Sequence, residues 1–250
     1  MKLLLILLFA VAAAFTIVKT DDEKDPRPTK TYRSFAVLEL FTSEGCSSCP
    51  PADRLLPQLA ALDVNVIPLS FHVDYWDKLG WKDPFSNAQF TDRQKDYGQY
   101  FKLESIYTPQ LIINGKFEMV GSDKATAEAD IKKLLNENAI VELIIDEVRK
   151  GSNKLSVNCL LAGDWRNSDL LAAIVQDHAE GDVKGGENHG AKLSHTNVVR
   201  TFLELPAKEK MNFEMTIPAG LSANNSHLIL FVQQKRRLKI TGAAVYKLAE

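Results

Sequence analysis

Phe41-Thr42-Ser43-Glu44-Gly45-Cys46-Ser47-Ser48-Cys49-Pro50 is the stretch whose reading decides the fold. It follows a short apolar run, Phe35 to Leu40, of the kind that makes a buried strand. It precedes a run from Ala52 to Leu62 with Leu55, Leu56, Leu59 and Leu62 at helical spacing. The order is strand, turn, Cys-x-x-Cys, helix. A helix N-terminus presents unpaired N–H groups and about half a positive charge. A cysteine there has its pKa drawn down from ~8.5 into a range of ~3.5–7.5, and the thiolate is the nucleophile. The spacing suits thiol–disulfide exchange. Cys46 attacks, and Cys49, expected one turn further in and more buried, resolves a mixed disulfide. Pro50 and Pro51 fit the first helical turn, where the missing N–H has no helical partner anyway. Two other readings stay open here. Cys-x-x-Cys is half of a zinc pattern, and it is also a short static staple.

Working outward, Val64 to His72 is a second strand, with Pro68 expected at a strand end or bulge. Val73 to Pro84 is aromatic-rich and turn-rich. A helix is expected from an N-cap at Ser86 to about Phe101. Gln110 to Ile113 is a strand, Asn114-Gly115 a strong hairpin signal, and Phe117 to Val120 the return strand. A last helix runs from Ser122 to Asn138, capped by Ser122 or Asp123. Residues 31–138 therefore read as an α/β domain, a mixed sheet with helices packed on it. From Ile140 the pattern changes to seven short strand-like runs: Val141–Ile145, Leu155–Leu161, Leu170–Gln176, Thr196–Leu205, Met211–Ile217, Leu228–Gln234 and Ile240–Leu248. Residues 139–250 read as a separate all-β domain, an immunoglobulin-like antiparallel sandwich.

Leu3 to Val18 is almost unbroken in apolar character, follows Lys2, and offers small residues at Ala10, Ala12, Ala13 and Ala14. This reads as a signal peptide over residues 1–19, followed by a flexible lead-in over 20–30. The rival reading is an uncleaved membrane anchor, against which the run falls short of the ~20 residues that a spanning helix needs. Either way the expected location is exported: periplasmic or otherwise extracytoplasmic. Disulfides persist there. The chain has 250 residues and only 3 cysteines, so a large disulfide framework is excluded. A second Cys pair is missing, which weakens structural zinc. Net charge is −2, with no basic footprint for nucleic acid.

Strand, Gly-Cys-x-x-Cys-Pro, helix, and Tyr107-Thr108-Pro109 before a later strand together resemble the thioredoxin fold. The set Leu40 to Asp53, His72 to Asp77, Gly80 to Pro84, Arg93-Gln94, Tyr107 to Gln110, Gly186 to Asn188 and His195 to Arg200 narrows this. It resembles a family of exported bacterial thioredoxin-like proteins known as a domain of unknown function, from about Phe35 to the C-terminus. The resemblance implies a redox-type site, a cis Pro109, and backbone hydrogen bonds from Thr108 to a substrate strand. Gly-Cys-Ser-Ser-Cys departs from thioredoxin's Trp-Cys-Gly-Pro-Cys, so the reduction potential does not carry over.

The remaining candidates are weighed beside these. His72, at a strand end, suits either a proton-holding role for Cys46 or a third ligand with Cys46 and Cys49 for copper or another metal ion. Asp74 is its companion. Trp76 and Trp81 read as a site wall or as packing. Glu187 and His195, with His189, read as a site wall, a metal pair or a plain surface loop. Arg200 reads as a packing anchor, and Cys159 as a small buried hydrophobe. The preferred function is an exported thiol–disulfide oxidoreductase acting on a protein or small thiol or disulfide, with Cys46, Cys49, Pro109 and Thr108 as its site. No cofactor is expected beyond the redox-active disulfide, save for the candidate metal ion. A metal-binding module, or a non-catalytic binding protein on the same fold, are the alternatives. Membrane contact is expected only if the N-terminal segment stays attached.

Overall fold

The computed structural model describes residues 32–249; the signal peptide and most of the lead-in read from the sequence lie outside the described residues. Strand β1 (Ala36–Thr42) is buried along its whole length. Helix α1 (Pro50–Ala60) follows the Cys-x-x-Cys turn, then β2 (Val66–His72), α2 (Ala88–Phe101), β3 (Gln110–Ile113), β4 (Phe117–Val120) and α3 (Lys124–Leu135). The rest is β: β5 (Val141–Lys150), β6 (Lys154–Gly163), β7 (Ser168–Asp182), β8 (Lys192–Pro206), β9 (Lys210–Thr216), β10 (Ser226–Gln234) and β11 (Ile240–Lys247).

All seven strand runs expected after Ile140 form, but they do not build a domain of their own. Four of them join the first half in one eight-stranded mixed sheet, ordered β11-β10-β7-β8-β2-β1-β3-β4. The join is parallel, β2 against β8, paired at Ser70 and Val198. The other three make a small sheet, β5-β6-β9. The expected thioredoxin-like α/β domain followed by a separate sandwich is therefore incorrect. The chain from Thr31 onward is one unit.

The physical reason is legible in the cores. Successive strand residues point to opposite faces. Odd positions on β1 (Val37, Phe41), β2 (Leu69, Phe71), β7 (Leu171, Ala173, Val175) and β10 (Ile229, Phe231) share one core with Phe90 and Tyr97 of α2. That core runs unbroken across the expected boundary at 138/139. On the other face, even positions of β1 pack against α1 and α3, while even positions of β7 and β10 pack against the small sheet. Leu170-Leu-Ala-Ala-Ile-Val175 is thus buried on both faces, which an outer sheet of a free-standing sandwich would not require.

Arg93 fastens this joint. Its Nε donates to Glu39 Oε2 at 2.5 Å and its Nη2 to Glu39 Oε1 at 3.0 Å, a two-bonded carboxylate pair linking α2 to β1. Nη1 donates to Gln233 of β10. Local differences are smaller. Pro68 sits inside β2, and its carbonyl accepts from Asn197 Nδ2 of β8. N–H and C=O of one strand residue point the same way, so its missing N–H falls toward β8, where the ladder holds one pair. Asn87, not Ser86, caps α2, accepting from Gln89 N. Asp123 caps α3. Leu62, expected on the apolar side of α1, lies beyond its end and is 49% exposed. The Asn114-Gly115 hairpin forms with both residues at positive φ (49° and 60°), as the expected tight turn demands.

Candidate functional site

The Cys-x-x-Cys loop is wound between β1 and α1. Cys46 N donates to Ser43 O (3.2 Å), and Cys49 N donates to Cys46 O (3.2 Å). Cys49 is the N-cap of α1, and Pro50 and Pro51 fill its first positions. Cys46 and Cys49 are joined as a disulfide, with Cα atoms 5.4 Å apart. Helix α1 starts four residues after Cys46 rather than at it, and Cys49 is not the more buried of the two. Both are 0% exposed, while Ser47 and Ser48 between them are exposed. The cover over the loop evens out their burial.

One side of that cover comes from the first half. The Thr108–Pro109 bond is cis, and Thr108 O lies 3.8 Å from Cys46 Sγ and 3.3 Å from Ser48 Oγ. Trp76 Nε1 donates to Thr108 Oγ1 at 2.8 Å. A side chain at Gly45 would meet Trp76 Cβ at 3.2 Å. The other side comes from β7 and β8, whose long ends pair out to Asp182 and Lys192. The loop between them folds over the disulfide. Asn188 Nδ2 donates to Glu44 O (2.9 Å) and Cys46 O (2.8 Å). Glu187 Oε2 accepts from Ser47 N (3.1 Å) and Ser47 Oγ (2.6 Å). Those bonds hold the Glu187 carboxyl below its ordinary pKa. A Cβ on Gly185 would come within 2.2 Å of Gly80 O, so the loop reaches its place only with glycine there.

Beneath the loop lies a second group of side chains. His195 of β8, fully buried, has Nε2 3.4 Å from Glu44 Oε1 and Nδ1 3.7 Å from Asp53 Oδ2. Its ring lies 4.7 Å from the His72 ring. His72 Nδ1 is 2.7 Å from Asp83 Oδ2. Trp81 Nε1 donates to Glu44 Oε2 (2.7 Å), and Thr42 Oγ1 to Asp53 Oδ1 (2.9 Å). Glu44 Oε1, Asp53 Oδ2, His72 Nε2 and both ring nitrogens of His195 are buried without a hydrogen-bond partner. Burial pushes the Asp53 carboxyl up to about 6; His195 and Thr42 oppose this, while Asp83 and Glu44 add to it. Burial would raise Asp83 as well. His72 beside it, and the N–H groups of Glu44 and Phe85, hold it below its ordinary value instead.

The structure thus brings Cys46, Cys49, Thr108, Pro109, Trp76 and Glu187 together around one loop, with Trp81, His72 and His195 behind it. Asp74 is turned away and accepts from Thr91 Oγ1 of α2 at 2.5 Å. Glu187 and His195 do not form a pair: one sits over the exposed serines, the other under Glu44. His72 meets Asp83 through Nδ1 only, its Nε2 being unpartnered, and among the described residues no group of three His, Cys, Asp or Glu is placed to hold a metal ion. Cys159 is free and buried in the core shared with the small sheet. Sequence reasoning missed Glu44, Asp53, Asp83 and Asn188 as site residues. Asp53 carried a signal, a charge on the buried side of α1 next to Ala52 and Leu56.

Comparison with known proteins gives little by way of activity. No curated protein matches the chain. A crystal structure of a protein from Agrobacterium tumefaciens is similar over 87% of this chain and 96% of its own, with 26% identity and a TM-score of 0.66. HBP35 of Porphyromonas gingivalis is similar in fold over 87% of this chain and 76% of its own, with 16% identity and a TM-score of 0.61. A family match runs over residues 37–233, and the chain belongs to that family, DUF1223, whose members are proteins of unknown function.

Proposed function

We propose that this protein is an exported thiol–disulfide oxidoreductase with a thioredoxin-type site. The observation that carries the reading is the Cys46–Cys49 disulfide, set at the start of α1 beside the Thr108 carbonyl. A bond closing so short a loop constrains the unfolded chain little. Loop-closure entropy gives it roughly 2 kcal/mol, against ~4.7 kcal/mol for a 100-residue loop. It is a poor staple for a chain of this size. The incoming thiolate attacks Cys46 Sγ, the bond to Cys49 breaks, and Cys49 leaves as a thiolate. The substrate's second thiolate then attacks its own sulfur in the mixed disulfide and Cys46 leaves as a thiolate, so the substrate becomes the disulfide and the pair the dithiol. Thr108 and Pro109 line the approach to Cys46. Export rests on the N-terminal apolar run and on the fit of a disulfide to an oxidising compartment.

The trapping experiment is a Cys49→Ser variant incubated with disulfide substrates and examined by mass spectrometry. A mixed disulfide should accumulate on Cys46. Failure to exchange with any thiol or disulfide at any accessible pH would rule the reading out. The metal-binding alternative through Cys46, Cys49 and His72 has less support, since the two sulfurs are bonded to each other and, among the described residues, no three His, Cys, Asp or Glu side chains are placed to hold a metal ion.

A further inference from the structure

Glu187 lies 140 residues from Ser47 in the chain, yet takes both of that residue's donors, the backbone N–H and the hydroxyl. Ser47 directly follows Cys46, in the turn that leads into α1. Those donors, and the positive end of the helix, are what a thiolate at Cys46 would draw on. With Glu187 in place, the hydroxyl near Cys46 Sγ is that of Ser48 at 3.3 Å, and it also has the Thr108 carbonyl as a partner. The same loop is fastened to this turn, because Asn188 donates to the carbonyls of Glu44 and Cys46.

We propose that Glu187 is a positioning residue that sets the acidity of Cys46: by occupying the Ser47 donors with a carboxylate, the closed β7–β8 loop disfavours the thiolate and holds the pair as its disulfide. This deepens the exchange reading above and names how that site is regulated. Like charges close together disfavour ionisation. The carboxylate is exposed, so the effect is that of a solvent-screened charge rather than a buried one. Lifting the loop removes the anion and frees both donors in one movement. A partner that displaces Glu187 would therefore meet a more acidic, more reactive Cys46. Reduction by a dithiol balances simply. The reagent's thiolate attacks one sulfur, its second thiol displaces the mixed disulfide, and two electrons and two protons end on Cys46 and Cys49.

The test uses the full chain in two backgrounds. In Cys49→Ser, the pH midpoint for alkylation of Cys46 by iodoacetamide is compared with and without Glu187→Gln and Glu187→Asp. Buried Cys159, its thiol pushed up to about 11 by burial, stays silent. At low salt the Gln variant should lower the midpoint by about half a unit to one unit, and the Asp variant should stay with the parent. In the intact pair, equilibrium with dithiothreitol should move toward the reduced protein by roughly three- to tenfold for Gln only. Equal midpoints for Glu and Gln, or an Asp variant that moves as far as Gln, overturns the proposal. Alkylation needs no partner protein. A shifted midpoint without any mixed disulfide would therefore sink the exchange reading and leave the tuning by Glu187 standing.

Discussion

Arg93 of α2 donates to Gln233 of β10 at 3.1 Å, across 140 residues of sequence and across the boundary where two domains were expected. Gln233 Nε2 in turn donates to Tyr97 Oη of α2 at 2.7 Å. Helix α2 thus belongs to both halves, and its apolar face closes a core that neither half completes alone. Unfolding in urea should be a single transition, with tryptophan fluorescence and far-ultraviolet dichroism coincident. A fragment covering residues 32–138 should fail to fold, because Phe71, Phe90 and Tyr97 would lose Leu171, Val175 and Phe231. Two resolved transitions, or a folded fragment, would contradict the shared core.

Within that joint the Arg93–Glu39 pair sets a measurable cost. Glu39 is fully buried. Arg93→Met leaves its carboxylate facing an apolar core with only Tyr97 Oη as partner. Breaking a buried pair from one side costs about 3–5 kcal/mol. The double variant Glu39→Gln, Arg93→Met should recover part of this, because the uncompensated charge is gone. Urea midpoints of the two single variants and the double variant decide the matter. A double variant no more stable than Arg93→Met would mean that the guanidinium acts through packing over Phe71, Phe202 and Phe231.

Asp53 makes stability depend on pH in a direction opposite to that of most carboxylates. Its folded pKa, about 6, lies above its ordinary 3.8. Below 3.8 the carboxyl is protonated in both states and adds no dependence. Between 3.8 and 6 the unfolded chain sheds the proton while the folded protein keeps it. Stability falls across that window, by about 3 kcal/mol at full extent. Asp53→Asn keeps an acceptor for Thr42 and cannot ionise. It should flatten the dependence between pH 4 and 6 and be the more stable protein at pH 8. Urea unfolding at pH 4, 6 and 8 checks this, and an unchanged slope in the Asn variant would refute it.

Much of the local structure could be read along the chain, while its assembly could not. The strand before Cys46, the Asn114-Gly115 hairpin and the later strands follow from apolar period and turn chemistry, which act within a few residues. Thr108 and Pro109 were placed beside the cysteines by resemblance alone. The joining of two expected domains depends on which strand pairs with β2, and one parallel pair, Ser70 with Val198, settles that across 128 residues. No local pattern encodes such a pairing. A hint existed in the unbroken apolar runs Leu170–Val175 and Leu228–Val232, which ask for cover on both faces. The inner group of Glu44, Asp53, Asp83 and His195 was hidden for the same reason. Glu44 and Asp83 meet across 39 residues, and the packing of β8 beside β2 adds His195 between Glu44 and Asp53.

Gly185 offers a direct test of the cover over the disulfide. Its α-carbon faces the Gly80 carbonyl so closely that a methyl group would stand 2.2 Å from that oxygen. The neighbour is backbone rather than the free end of a side chain, so the loop itself has to move. Gly185→Ala should therefore lift Glu187 and Asn188 from Ser47 and Cys46, and the disulfide, now fully buried, should become reachable. Reduction of the Cys46–Cys49 bond by a water-soluble phosphine, followed by alkylation and mass analysis, reads this as a rate. We expect a several-fold increase for Gly185→Ala and a similar one for Asn188→Ala, which removes the tie without adding bulk. Gly151→Ala, in the β5–β6 turn, should reduce at the parent rate, since its added methyl meets only Lys154 O at 3.4 Å. If the phosphine reduces all four proteins at the same rate, the β7–β8 loop does not limit access to the pair, and another part of the cover, such as Trp76 with Thr108, has to be the barrier.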